Sequence, residues 1–286
     1  MKNKMKSISA VIIAVFAIMR FSATAQQLKV PAPSPFQSIK QAFALSDITI
    51  EYSRPGVKDR VIFGDVVPFG KTWRTGANQT TKITFGEDVK VEGNPVTAGT
   101  YGIYTVPNKD SWDIMLYKDL TLAGNVAEYK TENEVLRFKV KPSALANKVE
   151  TFTINFADVT PSTLNVELLW EQTRVAFNVV ADIDSKIMKN IEASVVKDGR
   201  PYFQAASYYY ENNKDLKQAL VWADKAIEQN PKAFWVVMLK AKILAKAKDN
   251  KAAISTAEQV ITLAKEQKND DYVKMAEKLI TEAKKG

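Results

Sequence analysis

Two hydrophobic periods divide the chain. From Ala42 to about Val180, apolar side chains alternate with polar ones or run briefly between Gly, Pro and Asn. Phe152, Ile154 and Phe156 alternate with Thr and Asn, and Leu136, Phe138 and Val140 alternate with Arg137, Lys139 and Lys141. A period of two buries one strand face and wets the other. The pattern predicts strands over 43–52, 81–85, 89–92, 102–106, 112–117, 135–140, 151–156, 164–170 and 175–179. Gly93-Asn94-Pro95 reads as a hairpin connection, and Ala98-Gly99-Thr100 as a tight turn entering a strand. No amphipathic helix lies between these segments, so a parallel sheet lacks its crossovers. The expected fold is an antiparallel β-sandwich or jelly-roll-like domain over 41–180.

Near Asp182 the period changes to 3.6. Ile183, Ile187, Ile191 and Val195 form one stripe, with Asp182 as N-cap and Gly199 as C-cap. Further helices are expected over 201–212, 215–229, 232–247, 250–267 and 270–285. Phe203, Ala206, Ser207, Tyr210, Ala219, Ala223 and Ala226 precede Pro231, and a 34-residue shift brings in Val237, Ala241, Leu244, Ala253 and Ala257. Small residues at such places let paired helices approach closely. The segment 182–286 resembles tetratricopeptide repeats, with one good unit, one weaker unit and a capping helix; a generic helical hairpin stack is the alternative. Either form is expected to be a surface for a protein partner or an extension packed on the sandwich.

The first 25 residues are of a third kind. Lys2, Lys4 and Lys6 precede a short apolar run from Ile8 to Met19, and Ala23-Thr24-Ala25 fits a small-residue cleavage site. A dozen residues of helix reach only about 18 Å, against a hydrocarbon core of roughly 30 Å. A signal peptide cleaved after Ala25 is expected, then a linker over 26–40 and a periplasmic or secreted product with no membrane span.

Composition narrows the chemistry. The formal charge is +8, and removing Lys2, Lys4, Lys6 and Arg20 with the leader leaves +4, mixed with acids. That is too mild to argue for nucleic acid. There is no Cys and no His. Disulfides, thiolate sites, a Ser-His-Asp triad and a His-ligated zinc are therefore excluded. No Asp-rich calcium loop and no Gly-rich phosphate loop occurs, so no metal, cofactor or catalytic residue is assigned.

The most specific stretch is polar. Residues 52–63 read Tyr-Ser-Arg-Pro-Gly-Val-Lys-Asp-Arg-Val-Ile-Phe, and 66–78 read Val-Val-Pro-Phe-Gly-Lys-Thr-Trp-Arg-Thr-Gly-Ala-Asn. With Ala98-Gly99-Thr100-Tyr101-Gly102-Ile103-Tyr104 they resemble the domain-of-unknown-function 2911 family over roughly residues 40–180. The resemblance implies a β-rich domain, often behind a signal peptide and sometimes before helical repeats. It implies no activity and no catalytic residues.

Arg54, Lys58, Arg60, Lys71 and Arg74 fall within 21 residues, with Trp73, Asn78 and Thr80 among them. Two readings stand. Converging loops would offer guanidinium forks, an aromatic plate and amide donors to a small anionic or glycan ligand. Alternatively, these cations pin the loops and Trp73 fills the core. The segment 118–134, without a clear strand, could cover the same end. The functional expectation is an exported, non-catalytic protein that binds such a ligand through its β-domain and a protein through its helices. A pure scaffold acting through the helices is the alternative, and a carboxylate-based hydrolase is a weaker one.

Overall fold

The computed structural model describes residues 30–122, 124–196 and 201–285. The leader and Gly199 lie outside the described residues. The chain divides into two compact units, Met1–Val179 and Val180–Gly286. The first is an antiparallel β-sandwich and the second a stack of helices.

Ten strands build the sandwich: β1 (Phe36–Phe43), β2 (Ser46–Ser53), β3 (Thr81–Phe85), β4 (Val89–Val91), β5 (Asn94–Val96), β6 (Gly99–Val106), β7 (Trp112–Tyr117), β8 (Glu134–Val140), β9 (Ser143–Ala157) and β10 (Thr163–Val180). One sheet runs β1-β2-β3-β6-β7-β8 and the other β5-β4-β10-β9. Three expectations are corrected in detail. The segment 43–52 is not one strand: β1 begins inside the stretch read as linker and pairs with β2 from Phe43↔Ser46. The turn between them is Ala44-Leu45, with Ala44 left-handed at φ 56°. Neither residue is a turn former, so an apolar run hid the hairpin. Gly93 does turn the chain, but with Glu92, since Val91 pairs with Asn94. Pro95 sits in β5, at a sheet edge where its missing N–H costs nothing. Segments 164–170 and 175–179 are one strand, β10, whose register slips on both sides of Glu171.

The core fills as the alternation requires. Ile48, Ile50 and Tyr52 of β2, Ile83 of β3 and Ile103 of β6 are buried, as are Phe152 and Ile154 of β9 and Val166, Leu168 and Trp170 of β10. Tyr52 ties strands together through its hydroxyl, which accepts from the Ile154 N–H at 2.9 Å and donates to Gln37 at 2.7 Å. The six-stranded sheet also buries Tyr104, Met115 and Tyr117. Leu122 and Tyr129, from a segment of short 3-10 turns between β7 and β8, pack over them.

On β7 and β8 a charged network crosses the sheet. Arg137 donates to Glu134 at 2.7 Å and to Asp113 at 2.8 Å, and Lys139 donates to Asp113 at 2.7 Å. The Arg137 hydrogen bond holds Glu134 below the usual carboxylate range against an opposing burial effect. Burial pushes Asp113 up, but hydrogen bonds from Lys139 and Arg137 outweigh it and leave Asp113 low. A depressed carboxylate stabilises the fold above its unfolded pKa of ~4, and that stability is lost as pH falls through the folded value. Arg137→Gln is expected to cost about 1 kcal/mol or less at pH 7, because exposed pairs are screened. It should also flatten the acid limb of stability, as urea unfolding at neutral and acidic pH would show.

The second unit comprises α1 (Asp184–Ile191), α2 (Tyr202–Glu211), α3 (Leu216–Gln229), α4 (Phe234–Lys246), α5 (Asn250–Glu266) and α6 (Asp270–Ala283). A π-helical turn, Glu192–Val196, extends α1. Asp182 accepts from the Ser185 hydroxyl and, at 3.4 Å, from its N–H. Asp215, Asp249 and Asn269 cap α3, α5 and α6 by accepting backbone N–H bonds. Consecutive helices pack through short loops, and α4 is apolar almost all round because α2, α3, α5 and α6 all contact it. Ala206, Ala219, Ala223, Ala241, Ala253 and Ala257 are fully buried. A larger side chain there would separate the helices.

Candidate functional site

The residues of the Arg/Lys/Trp cluster lie between β2 and β3, in a long connection that bridges to Thr151 at Gly56 and to Thr105 at Trp73. Their guanidinium groups are engaged by the protein. Arg54 donates to the Phe152 carbonyl at 3.1 Å and to the Thr153 hydroxyl at 2.8 Å. Arg60 donates to the carbonyls of Val57 and Gly56. Arg74 donates through one terminal nitrogen to the Gly124 carbonyl at 2.9 Å while its buried Nε has no partner among the described residues, and Asn78 donates to the Ser34 carbonyl at 3.2 Å. Trp73 donates its indole N–H to Gly76 at 3.0 Å and stacks on Trp170 at 5.7 Å. Lys58 and Lys71 are exposed. The partners of the arginines are mostly main-chain oxygens, so this arrangement holds loops to strands. Gly124 belongs to the segment 118–134, which therefore does meet Arg74 and Asn78.

A different place in the sandwich is open. A cavity of about 360 Å³ is walled by Phe63, Phe69 and Trp112. Around its mouth stand Asn108 and Lys109, Ser143 at the start of β9, and Glu171, Gln172 and Thr173 of β10. Phe63 packs edge-on against Trp112 at 4.8 Å and is half-buried, so it offers part of an aromatic wall. The register slips of β10 aim Glu171 here, with its backbone left-handed at φ 54°. Bulges re-aim side chains in this way, and a strained non-glycine residue beside a cavity is a recurrent feature of binding sites. Among the described residues, the side chains of Asn108, Lys109, Glu171, Gln172 and Thr173 have no hydrogen-bond partner within the protein. Lys109 and Glu171 bring opposite charges, so the mouth is polar but near neutral.

The family described as protein of unknown function (DUF2911) matches residues 34–179. The chain belongs to the DUF2911 family. No curated protein and no solved structure gives a significant match. The DUF2911 match begins two residues before β1 and ends within β10, so it covers the sandwich and both polar features, and leaves the helices outside it. Among the described residues no helix is long and apolar enough to cross a membrane.

Sequence reasoning finds the basic cluster because five cations lie close together. It misses the cavity, whose lining comes from five separate places between Phe63 and Thr173. The available signal is the pair of Phe-Gly steps, Phe63-Gly64 and Phe69-Gly70, within the family-specific stretch. The engaged state of Arg54 gives a direct expectation. Arg54→Ala should lower stability by about 1–3 kcal/mol, the cost of leaving partly buried acceptors without a donor. Arg54→Lys should recover little of it, since one ammonium does not reproduce the guanidinium fork. Thermal melts of the two variants check this.

Proposed function

We propose that this DUF2911 protein is a non-catalytic binding protein whose sandwich takes a neutral glycan in the cavity beside the β10 bulge. The observation that carries the reading is the set of unpartnered polar side chains, Asn108, Lys109, Glu171, Gln172 and Thr173, standing around half-buried Phe63 and Phe69. A sugar ring has apolar C–H faces that suit aromatic walls and a rim of hydroxyls that both donate and accept. Amide, hydroxyl, carboxylate and ammonium groups in one mouth match that rim. A small anion is served less well, because Glu171 offsets Lys109 and the guanidinium groups of Arg54, Arg60 and Arg74 already hold main-chain oxygens.

The export reading rests on the Lys2/Lys4/Lys6 run, the apolar stretch to Met19 and Ala23-Thr24-Ala25, and places this binding outside the cytoplasm. Sequencing the N-terminus of protein recovered from the periplasm or medium should give Gln26 first. The tetratricopeptide-like reading of the helices is supported by the buried pairs Ala219/Ala253 and Ala223/Ala257, each 34 residues apart, and makes this unit the docking surface for a protein.

Calorimetric titration with a panel of neutral and acidic oligosaccharides tests the sandwich reading. A neutral oligosaccharide should bind the wild type, and Phe69→Ala and Gln172→Ala should each weaken it by about tenfold, equivalent to roughly 1.4 kcal/mol. Preference for polyanions, lost on replacing Lys58 and Lys71, would move the site to the basic cluster. Failure of every sugar to bind would remove the reading.

A further inference from the structure

A second concave surface lies wholly within the helical unit. It is a groove of about 550 Å³ formed mainly by alternate helices α2, α4 and α6, with Asn250 at the start of α5. Its floor is apolar and adaptable: Met238 and Leu279 are nearly buried, while Met275 remains 39% exposed. Along α4, Met238, Lys242 and Lys246 follow one another at helical spacing of four, so all three face the same way. On α6, Met275, Lys278, Leu279 and Glu282 share a face by the same rule. Three ammonium groups thus overlook the floor, against one carboxylate.

The state of each cation matters. Lys246 donates to the Tyr210 carbonyl at 2.7 Å and lies 4.6 Å from the centre of the Tyr210 ring, which fixes it in place with further donors free. Lys242 is half-buried in the groove and has no partner among the described residues. Lys278 lies 3.9 Å from Glu282, at the limit of an ion pair, with both side chains largely exposed. Elsewhere in this unit, lysines that approach an acid are paired tightly, as Lys240 with Asp224 and Lys214 with Asp184, both at 2.7 Å. The groove departs from that habit and keeps a surplus of positive charge above exposed methionine.

We infer that this groove docks an acidic segment of another protein, in which Asp or Glu alternates with Leu, Met or Phe. The inference rests on reading the helical unit as a docking surface, and names its partner chemistry. Carboxylates would meet Lys242, Lys246 and Lys278 while apolar side chains settle on Met238, Met275 and Leu279. Oppositely charged partners gain both affinity and encounter rate, and lose them as salt rises. Repulsion from the lysines disfavours a basic segment.

Fluorescence anisotropy on the full chain tests this, with labelled peptides of alternating Glu and Leu, of Lys and Leu, and of Gln and Leu. The Glu-Leu peptide should bind best, weaken with salt, and lose at least about tenfold in affinity with Lys242→Gln or Lys278→Glu. Lys278→Glu changes a side chain that is 78% exposed, so it keeps the test valid if Lys242 variants fold poorly. Equal binding of the Glu-Leu and Gln-Leu peptides overturns the charge argument but leaves a docking groove. Stronger binding to phosphatidylglycerol vesicles than to the Glu-Leu peptide overturns the choice of partner. Absence of binding by all three peptides overturns the docking reading as well.

Discussion

Trp170→Ala is expected to destabilise the sandwich by about 3–5 kcal/mol, the range for removing a large aromatic side chain from a core. Trp170 is only 2% exposed and lies at the centre of a ring cluster. It stacks on Trp73 at 5.7 Å and packs against Phe152 at 5.5 Å and Phe63 at 6.0 Å. Trp73, from the connection between β2 and β3, and Phe152, from β9, are also edge-on to each other at 5.2 Å. Removing Trp170 therefore leaves a void shared by three neighbours, two from the connection between β2 and β3 and one from β9, so collapse of a single segment cannot refill it. The conservative variants should separate packing from hydrogen bonding. The Trp170 indole N–H is buried and has no acceptor, so Trp170→Phe forfeits area alone. The Trp73 N–H donates to Gly76, so Trp73→Phe also leaves that carbonyl short of a donor, about 1 kcal/mol more. Urea unfolding followed by fluorescence would rank the three variants in the order Trp170→Ala, Trp73→Phe, Trp170→Phe. Equal losses for the two Phe variants would show that the Gly76 bond adds nothing.

The second large effect is expected at Gly124. Its φ is +86°, and a Cβ built there meets the Asn78 carbonyl oxygen at 2.6 Å and the Arg74 side chain at 2.9 Å. Gly93 provides the comparison: its φ is +79°, and nothing lies within 4 Å of its Cβ position. Both substitutions force a side chain into left-handed backbone, which costs roughly 1–2 kcal/mol. Only Gly124→Ala must also move main chain, because the obstructing atom is a carbonyl that cannot rotate away. The expected loss is about 1 kcal/mol for Gly93→Ala and roughly 3 kcal/mol or more for Gly124→Ala. Displacing Gly124 should also break its bond from Arg74 and loosen the cover that Leu122 and Tyr129 place over Tyr104 and Tyr117. Faster amide exchange in β6 and β7 of Gly124→Ala, with Gly93→Ala unchanged there, is the accompanying result.

The helices were legible because each carries its own information. Asp215, Asp249 and Asn269 mark starts, and buried alanines recur along one face. The central strands were legible for the same reason: Thr81–Phe85 alternates, Trp112–Tyr117 is a short apolar run, and both occur with those bounds. What the sequence hid depends on partners. The β1–β2 turn uses Ala44 and Leu45, which have no turn preference, and is held partly by Glu87, whose carboxylate accepts the Leu45 N–H at 2.8 Å. The continuity of β10 through Glu171 depends on its pairing with β9. The basic cluster was visible as charge, but its acceptors are carbonyls, and every residue has one of those. The cavity had little local signature beyond its two Phe-Gly steps, because Phe63, Asn108 and Glu171 are far apart in sequence and are brought together only by the fold.

Chemical-shift mapping of amide and indole N–H groups during titration with a neutral oligosaccharide tests the central claim most directly. Saturable shifts confined to Asn108, Lys109, the Glu171–Thr173 bulge and the Trp112 indole, with Arg54, Arg60 and Arg74 unmoved, are the predicted result. Shifts centred on those three arginines, or a spectrum that no sugar perturbs, would contradict it.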